Sequence, residues 1–169
     1  MENAVRLDEM LHAFMFTLSG VPVLYSGDEV GRENDYDYHR DPLKAEDSRY
    51  LHRGDMDWAL ADQRTDPAAV AGQLFTAIQR MEALRAQCPA FDDQADTWLL
   101  NTDNDAILGI GRYYRGQKLL AVFNFSREPQ IAWLKEMEEY NDLMTGRMRD
   151  AGAVSLPAGG FAWLLHEYK

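Results

Sequence analysis

A chain of 169 residues, 46% apolar and 27% charged, has the balance of a globular protein and is long enough for one ordinary domain, or for a small domain with part of another. Its formal net charge of −11 argues against a nucleic-acid backbone or an anionic lipid surface as partner. Residues 11–18 are apolar but broken by His12 and preceded by Asp8 and Glu9, which reads as neither a signal peptide nor a membrane span; with Cys88 as the single cysteine there is no intrachain disulfide, and a cytoplasmic location is expected.

Val5, Leu7, Met10, Leu11, Phe14, Met15 and Leu18 recur at helical spacing and Gly20 follows, predicting a helix over 2–19 that is apolar around much of its circumference. Val21-Pro22-Val23-Leu24-Tyr25 is too short for a helix and β-branched enough for a buried strand over 21–26. Helix followed by buried strand is α/β grammar, yet no further strand is expected before residue 97. Residues 27–66 read as a long acidic loop carrying Tyr36, Tyr38, Tyr50 and Trp58, and ordered loops of this length are usually functional. Asp66-Pro67 has the form of a helix start, and Val70, Leu74, Ile78, Met81 and Leu84 carry that helix over 67–87, with Pro89 ending it.

Beyond Pro89 the period changes. Short β-type runs at 97–101, 107–114, 118–125, 130–134, 140–143, 154–156 and 161–166 are separated by turn residues such as Asn104-Asp105 and Arg115-Gly116, which predicts an antiparallel sandwich or barrel. Residues 1–90 therefore read as an α/β remnant and 91–169 as an all-β domain, an α+β chain overall. A lone strand between two helices cannot pair its own N–H and C=O groups, so the first half reads as cut from something larger. The rival is that 21–26 joins the C-terminal sheet. On the first reading, the exposed strand edges and the apolar helix predict a homodimer or strand exchange.

The run Gly20-Val21-Pro22-Val23-Leu24-Tyr25-Ser26-Gly27-Asp28-Glu29-Val30-Gly31 resembles the eighth strand and following loop of the α-amylase superfamily, glycoside hydrolase family 13, where a G-x-P-x-x-Y-x-G-x-E pattern closes a (β/α)8 barrel. Asn34-Asp35, Asp47-Ser48-Arg49-Tyr50-Leu51-His52-Arg53, Asp62-Gln63-Arg64-Thr65-Asp66-Pro67 and Phe123-Asn124-Phe125-Ser126 extend the likeness toward amylosucrase and related sucrose hydrolases, over essentially the whole chain. The resemblance implies that 2–19 is the seventh barrel helix, 21–26 the eighth strand, 67–87 the eighth helix, and 91–169 a β-sandwich domain C with Greek-key connections. The loop 27–66 would then lie at the C-terminal face of the barrel, where such folds hold their active sites.

Enzymes of this type cleave a glycosidic bond with retention, using two carboxyl groups about 5 Å apart. The resemblance places the nucleophile, the general acid and a third carboxylate on earlier strands, so no catalytic residue is expected here. It implies action on sucrose or α-glucan by a full-length enzyme, with the N-terminal barrel as partner, no cofactor and no metal; the 169-residue chain is expected to be inactive alone. Arg49 is the leading substrate-binding candidate, matching an arginine that closes the glucosyl pocket by pairing with an upstream aspartate, a task suited to a planar, always charged guanidinium. Here it is expected to be solvated or paired with a neighbouring acid. Asp28, Tyr36, Tyr38, His52 and Arg53 are expected to line or support the pocket, and Glu29 to be structural. Gly54 stands where the pattern has proline, which leaves the local loop course open.

Two other readings stay open. Trp98, Trp133 and Trp163 would suit a stand-alone carbohydrate-binding β-sandwich, although the alternation of Trp133 with Ile131 and of Trp163 with Phe161 favours core positions. Asn34, Asp35, Asp37 and Asp41 offer oxygen ligands for calcium, but without the glycine and terminal glutamate of an EF-hand loop.

Overall fold

The computed structural model describes residues 2–168. The first helix, α1, spans Glu2–Thr17 and turns Val5, Met10, Ala13 and Phe16 inward, at the spacing one buried helix face requires. It ends two residues short of the expected 19. The hydroxyl of Thr17 donates to Ala13 O (2.8 Å) and accepts from the indole N–H of Trp163 (2.8 Å), and Gly20 then takes a left-handed φ of 99°. The strand expected over 21–26 is not formed: this stretch has no regular secondary structure and pairs with no strand among the described residues, and Val21 and Val23 are 89% and 77% exposed. Nor does it join the C-terminal sheet, whose two edges are strands from later in the chain.

The chain divides into two compact units, residues 2–22 with 77–168, and residues 23–76. This differs from a division at residue 90: α1, whose Phe14 packs on Phe123, and the later turns of the third helix fall in the same unit as the β-strands.

In the first unit eight strands follow the helices: β1 (Asp96–Leu99), β2 (Ile107–Tyr114), β3 (Gln117–Asn124), β4 (Gln130–Trp133), β5 (Glu139–Asp142), β6 (Arg147–Asp150), β7 (Ala153–Leu156) and β8 (Phe161–Glu167). Six form an antiparallel sheet in the order β1-β2-β3-β8-β5-β6, while β4 and β7 pair separately. The chain leaves the large sheet after β3 for β4, returns at β5 and β6, leaves again for β7, and re-enters at β8 between β3 and β5, the crossing between layers that Greek-key connections make. One face of the sheet buries Leu120, Val122, Tyr140, Ala162 and Leu164 against Ala132, Leu134, Val154 and Leu156 of the small sheet region. The other meets α1: Phe14 stands edge-on to Phe123 at 5.5 Å. Strands β3 and β8 are thus covered on both faces, which is why they read as nearly continuous apolar runs.

The strand β6 has no apolar alternation to announce it; its sequence is Arg147-Met148-Arg149-Asp150, a charged edge held by pairing with β5 and by Arg149 on Asp142 (2.9 Å). Trp163 is fully buried as expected, but Trp133 is 49% exposed: on β4 the inward position belongs to Ala132, so its neighbours Ile131 and Trp133 face outward.

In the second unit, residues 23–76, the long loop is a chain of short 3-10 turns at Asp28–Val30, Tyr38–Arg40, Ser48–Leu51 and Gln63–Thr65, with one short helix, α2, at Trp58–Asp62. Asp57 caps α2 by accepting from Leu60 N (3.0 Å). The third helix, α3, spans Val70–Gln87, starting three residues after the expected 67, because Asp66 instead caps a turn by accepting from Ala68 N (2.9 Å). The start of α3 requires glycine at 72, where an added Cβ would lie 1.9 Å from Asp66 O.

Candidate functional site

Glycines shape the loop that follows Tyr25. Gly27 and Gly31 adopt φ of 101° and 70°, bracketing the 3-10 turn Asp28–Val30, and the carboxylate of Glu29 folds back to accept from Gly27 N (2.8 Å). Val30 is buried beneath this turn, while Asp28 faces solvent. Glu29 is therefore occupied in shaping the backbone.

Arg32 leaves the turn and crosses to the far side of the loop. Its guanidinium donates to Gly54 O, to His52 O (2.6 Å) and to Asp55 O (3.4 Å), satisfying the carbonyls of a segment that has no secondary structure of its own. A side chain on Gly27 would meet Arg32, with Nε 2.8 Å from the added Cβ, so the glycine also opens the path the arginine takes. The strut is reinforced by Asp35 N donating to Leu51 O (2.8 Å) and by His52 Nδ1 meeting Asn34 Oδ1 (2.9 Å). Arg32 was not legible as a site residue: arginine in an acidic loop has no periodic or motif signature.

These links enclose an open cleft of about 460 Å³ lined by Tyr25, Asp28, Arg32, Asn34, Arg49, His52 and Arg53. Four of the sequence candidates, Asp28, Arg49, His52 and Arg53, come together there. Tyr36 and Tyr38 do not: Tyr36 is exposed, and the ring of Tyr38 stands edge-on to His39 at 5.8 Å.

Arg49 makes a two-pronged pair with Asp47, Nε to Oδ1 at 2.8 Å and a terminal nitrogen to Oδ2 at 2.6 Å, while the same carboxylate accepts from Arg49 N (3.0 Å). Hydrogen bonds from Arg49 push the Asp47 carboxyl down to about 2. The guanidinium stays largely exposed at the rim of the cleft. With three arginines and one carboxylate, Asp28, on its lining, the cleft is cationic inside an acidic protein and suits hydroxyl-rich or anionic groups. The acids considered for calcium are engaged otherwise: Asp35 accepts from Asp37 N (3.0 Å) and Asp41 from Leu43 N (2.9 Å). Among the described residues no three or more His, Cys, Asp or Glu side chains are grouped to hold a metal ion.

Set against solved structures, the chain aligns with a trehalulose synthase variant in complex with Tris at TM-score 0.71 and 18% identity, over 97% of this chain and 38% of that one. It aligns with an Anoxybacillus α-amylase at 0.70 and 21% identity, over 98% and 33%. A maltogenic amylase from S. marinus follows at 0.67 and 21%, over 94% and 19%. The chain has the fold of a part of these enzymes. It spans 19–38% of their length, and no protein-family model matches it.

Proposed function

We propose that the chain is the C-terminal part of an α-retaining glycoside hydrolase or glucosyltransferase of glycoside hydrolase family 13, amylosucrase-like, acting on sucrose or α-glucan. One observation carries this reading: an exposed segment that pairs with no strand among the described residues, 21–25, leads directly into a preformed, arginine-lined cleft. An eighth barrel strand deprived of its neighbours would look like this, with one wall of an active site after it. Solved structures that share the fold include an α-amylase, a maltogenic amylase and a trehalulose synthase, which supports carbohydrate as the substrate class.

On this reading the two catalytic carboxyl groups come from earlier strands, and Arg49 exchanges Asp47 for an acid of that missing part when the pocket is complete. Asp28, His52 and Arg53 lie beside it to contact the sugar. The preceding barrel strands would cover Val21 and Val23, and a cytoplasmic setting suits the single thiol, Cys88.

The purified chain is expected to release no glucose or fructose from sucrose and no glucose from maltose above a buffer blank. Mixed with a separately produced polypeptide carrying the first seven strands of an amylosucrase, it is expected to restore sucrose-dependent fructose release, and Arg49→Ala to abolish that restoration. Turnover by the chain alone overturns the reading.

A further inference from the structure

We propose that the β1–β2 edge of the large sheet carries a second saccharide site, an aromatic platform on which an α-glucan stacks, with the rings of Trp98 and Tyr113 as its two contact faces. The antiparallel register places Trp98 opposite Gly111, and Asp96 opposite Tyr113, which in turn faces Lys118 on β3. Residues directly opposite share a face, so all of these side chains stand on one side of the sheet. Trp98 and Tyr113 are diagonal neighbours, about 7 Å apart at the backbone and within reach of each other's rings.

Gly111 determines how the indole lies. A Cβ added there would be 2.2 Å from Cε2 of Trp98, and 2.4 and 2.5 Å from Cζ2 and Nε1, the two atoms bonded to it on that side. An approach in the ring plane would pass closer to those outer atoms than to Cε2, so the glycine sits under the face of the ring. The indole therefore lies flat on β2, one face against backbone, and its 38% exposure belongs to the opposite face and the rim. Its N–H donates to no group among the described residues. Tyr113 is 40% exposed and is held edge-on by Tyr168 at 6.3 Å, whose backbone N–H is tied to Gly116 O (2.8 Å).

A flat ring with one free face and an unused donor at its rim is matched by a pyranose, which offers a patch of C–H groups ringed by hydroxyls. Asp96, exposed on β1, supplies a polar partner at the same face, whereas Lys118, on the next strand but one, is engaged by Glu136 (2.8 Å). A neutral ligand also fits a chain of net charge −11. The platform rests on ring geometry; only the choice of α-glucan over another saccharide rests on the function proposed above.

Affinity electrophoresis of the full 169-residue chain through gels containing amylopectin tests it, with laminarin gels as the β-glucan reference. The wild-type chain is expected to be retarded by amylopectin and not by laminarin. Trp98→Ala and Tyr113→Ala are each expected to weaken retention roughly tenfold, while Trp58→Ala, an exposed tryptophan outside the sheet, leaves it unchanged. Circular dichroism confirms folding, and Tyr113→Ala carries the test if the Trp98 variant does not fold. No retardation of the folded wild-type chain overturns the proposal, as does retention that survives both platform variants. Equal retention by laminarin overturns the assignment to α-glucan. Failure of the reconstitution experiment with amylopectin retention intact would remove the enzyme reading and leave the platform standing.

Discussion

Arg49 lies against Asp47, and that pairing sets how the rim of the cleft responds to pH. The carboxyl of Asp47 is held at about 2, below the ordinary value of about 3.9, by hydrogen bonds from Arg49. A depressed carboxylate contributes above its ordinary value and the contribution is lost as pH falls through the folded value, so the pair persists at neutral pH and opens as pH falls through about 2. Because Arg49 is exposed and Asp47 is open to solvent in part, the effect is local. A carboxyl-carbon NMR titration is expected to give Asp47 a midpoint near 2 in the native chain and one near 3.9 in Arg49→Ala. Arg32 acts differently, as a strut across the loop. Arg32→Ala is expected to leave the carbonyls of residues 52 and 54 to water and to lower protection of the Asp35 amide by about tenfold or more in hydrogen exchange. Arg32→Lys should not restore it, since one ammonium cannot span the same carbonyls. Arg49 could be found from its motif; Arg32 could not, because its role exists only once the loop has closed.

The end of α1 is held by two arginines from distant parts of the same unit. Arg112, buried in β2, donates to Ala90 O (2.8 Å), Thr17 O (2.7 Å) and Asp92 O (2.6 Å), and Arg85 of α3 donates to Phe16 O and Gly20 O (2.7 Å). Both take up carbonyls that a helix terminus leaves unpaired. Burial, with Arg85 nearby, pulls the Arg112 pKa below its ordinary value, and its guanidinium is met by backbone carbonyls rather than by a carboxylate. Arg112→Met is expected to leave three carbonyls short of a donor and to cost about 3 kcal/mol in urea unfolding. In the other unit, Gly72→Ala is expected to displace the turn at Asp66 and fray the start of α3, read as faster exchange of its first amides. At this scale helices and strands with an apolar period were legible to within a few residues, whereas β6 and the late start of α3 were not. Pairing to β5 makes the first, and a turn capped by Asp66 decides the second.

For the whole molecule, the exposed side chains of Leu7, Leu11, Leu18 and Val21, on α1 and just past its end, are apolar surface that solvent does not favour. The chain alone is expected to self-associate, with a weight-average sedimentation coefficient rising with concentration and Leu7→Glu with Leu11→Glu lowering the association; a concentration-independent monomer would count against this. Apolar period and turn residues act locally, and they were enough to set the α+β order of elements and the antiparallel β-domain. They could not set the pairing. That 21–25 stays unpaired, that α1 belongs with the β-sheet, that Trp133 turns outward and that Arg32 closes the cleft are all outcomes of long-range packing. Each depends on which distant backbone groups are present to be paired, a condition no local pattern encodes.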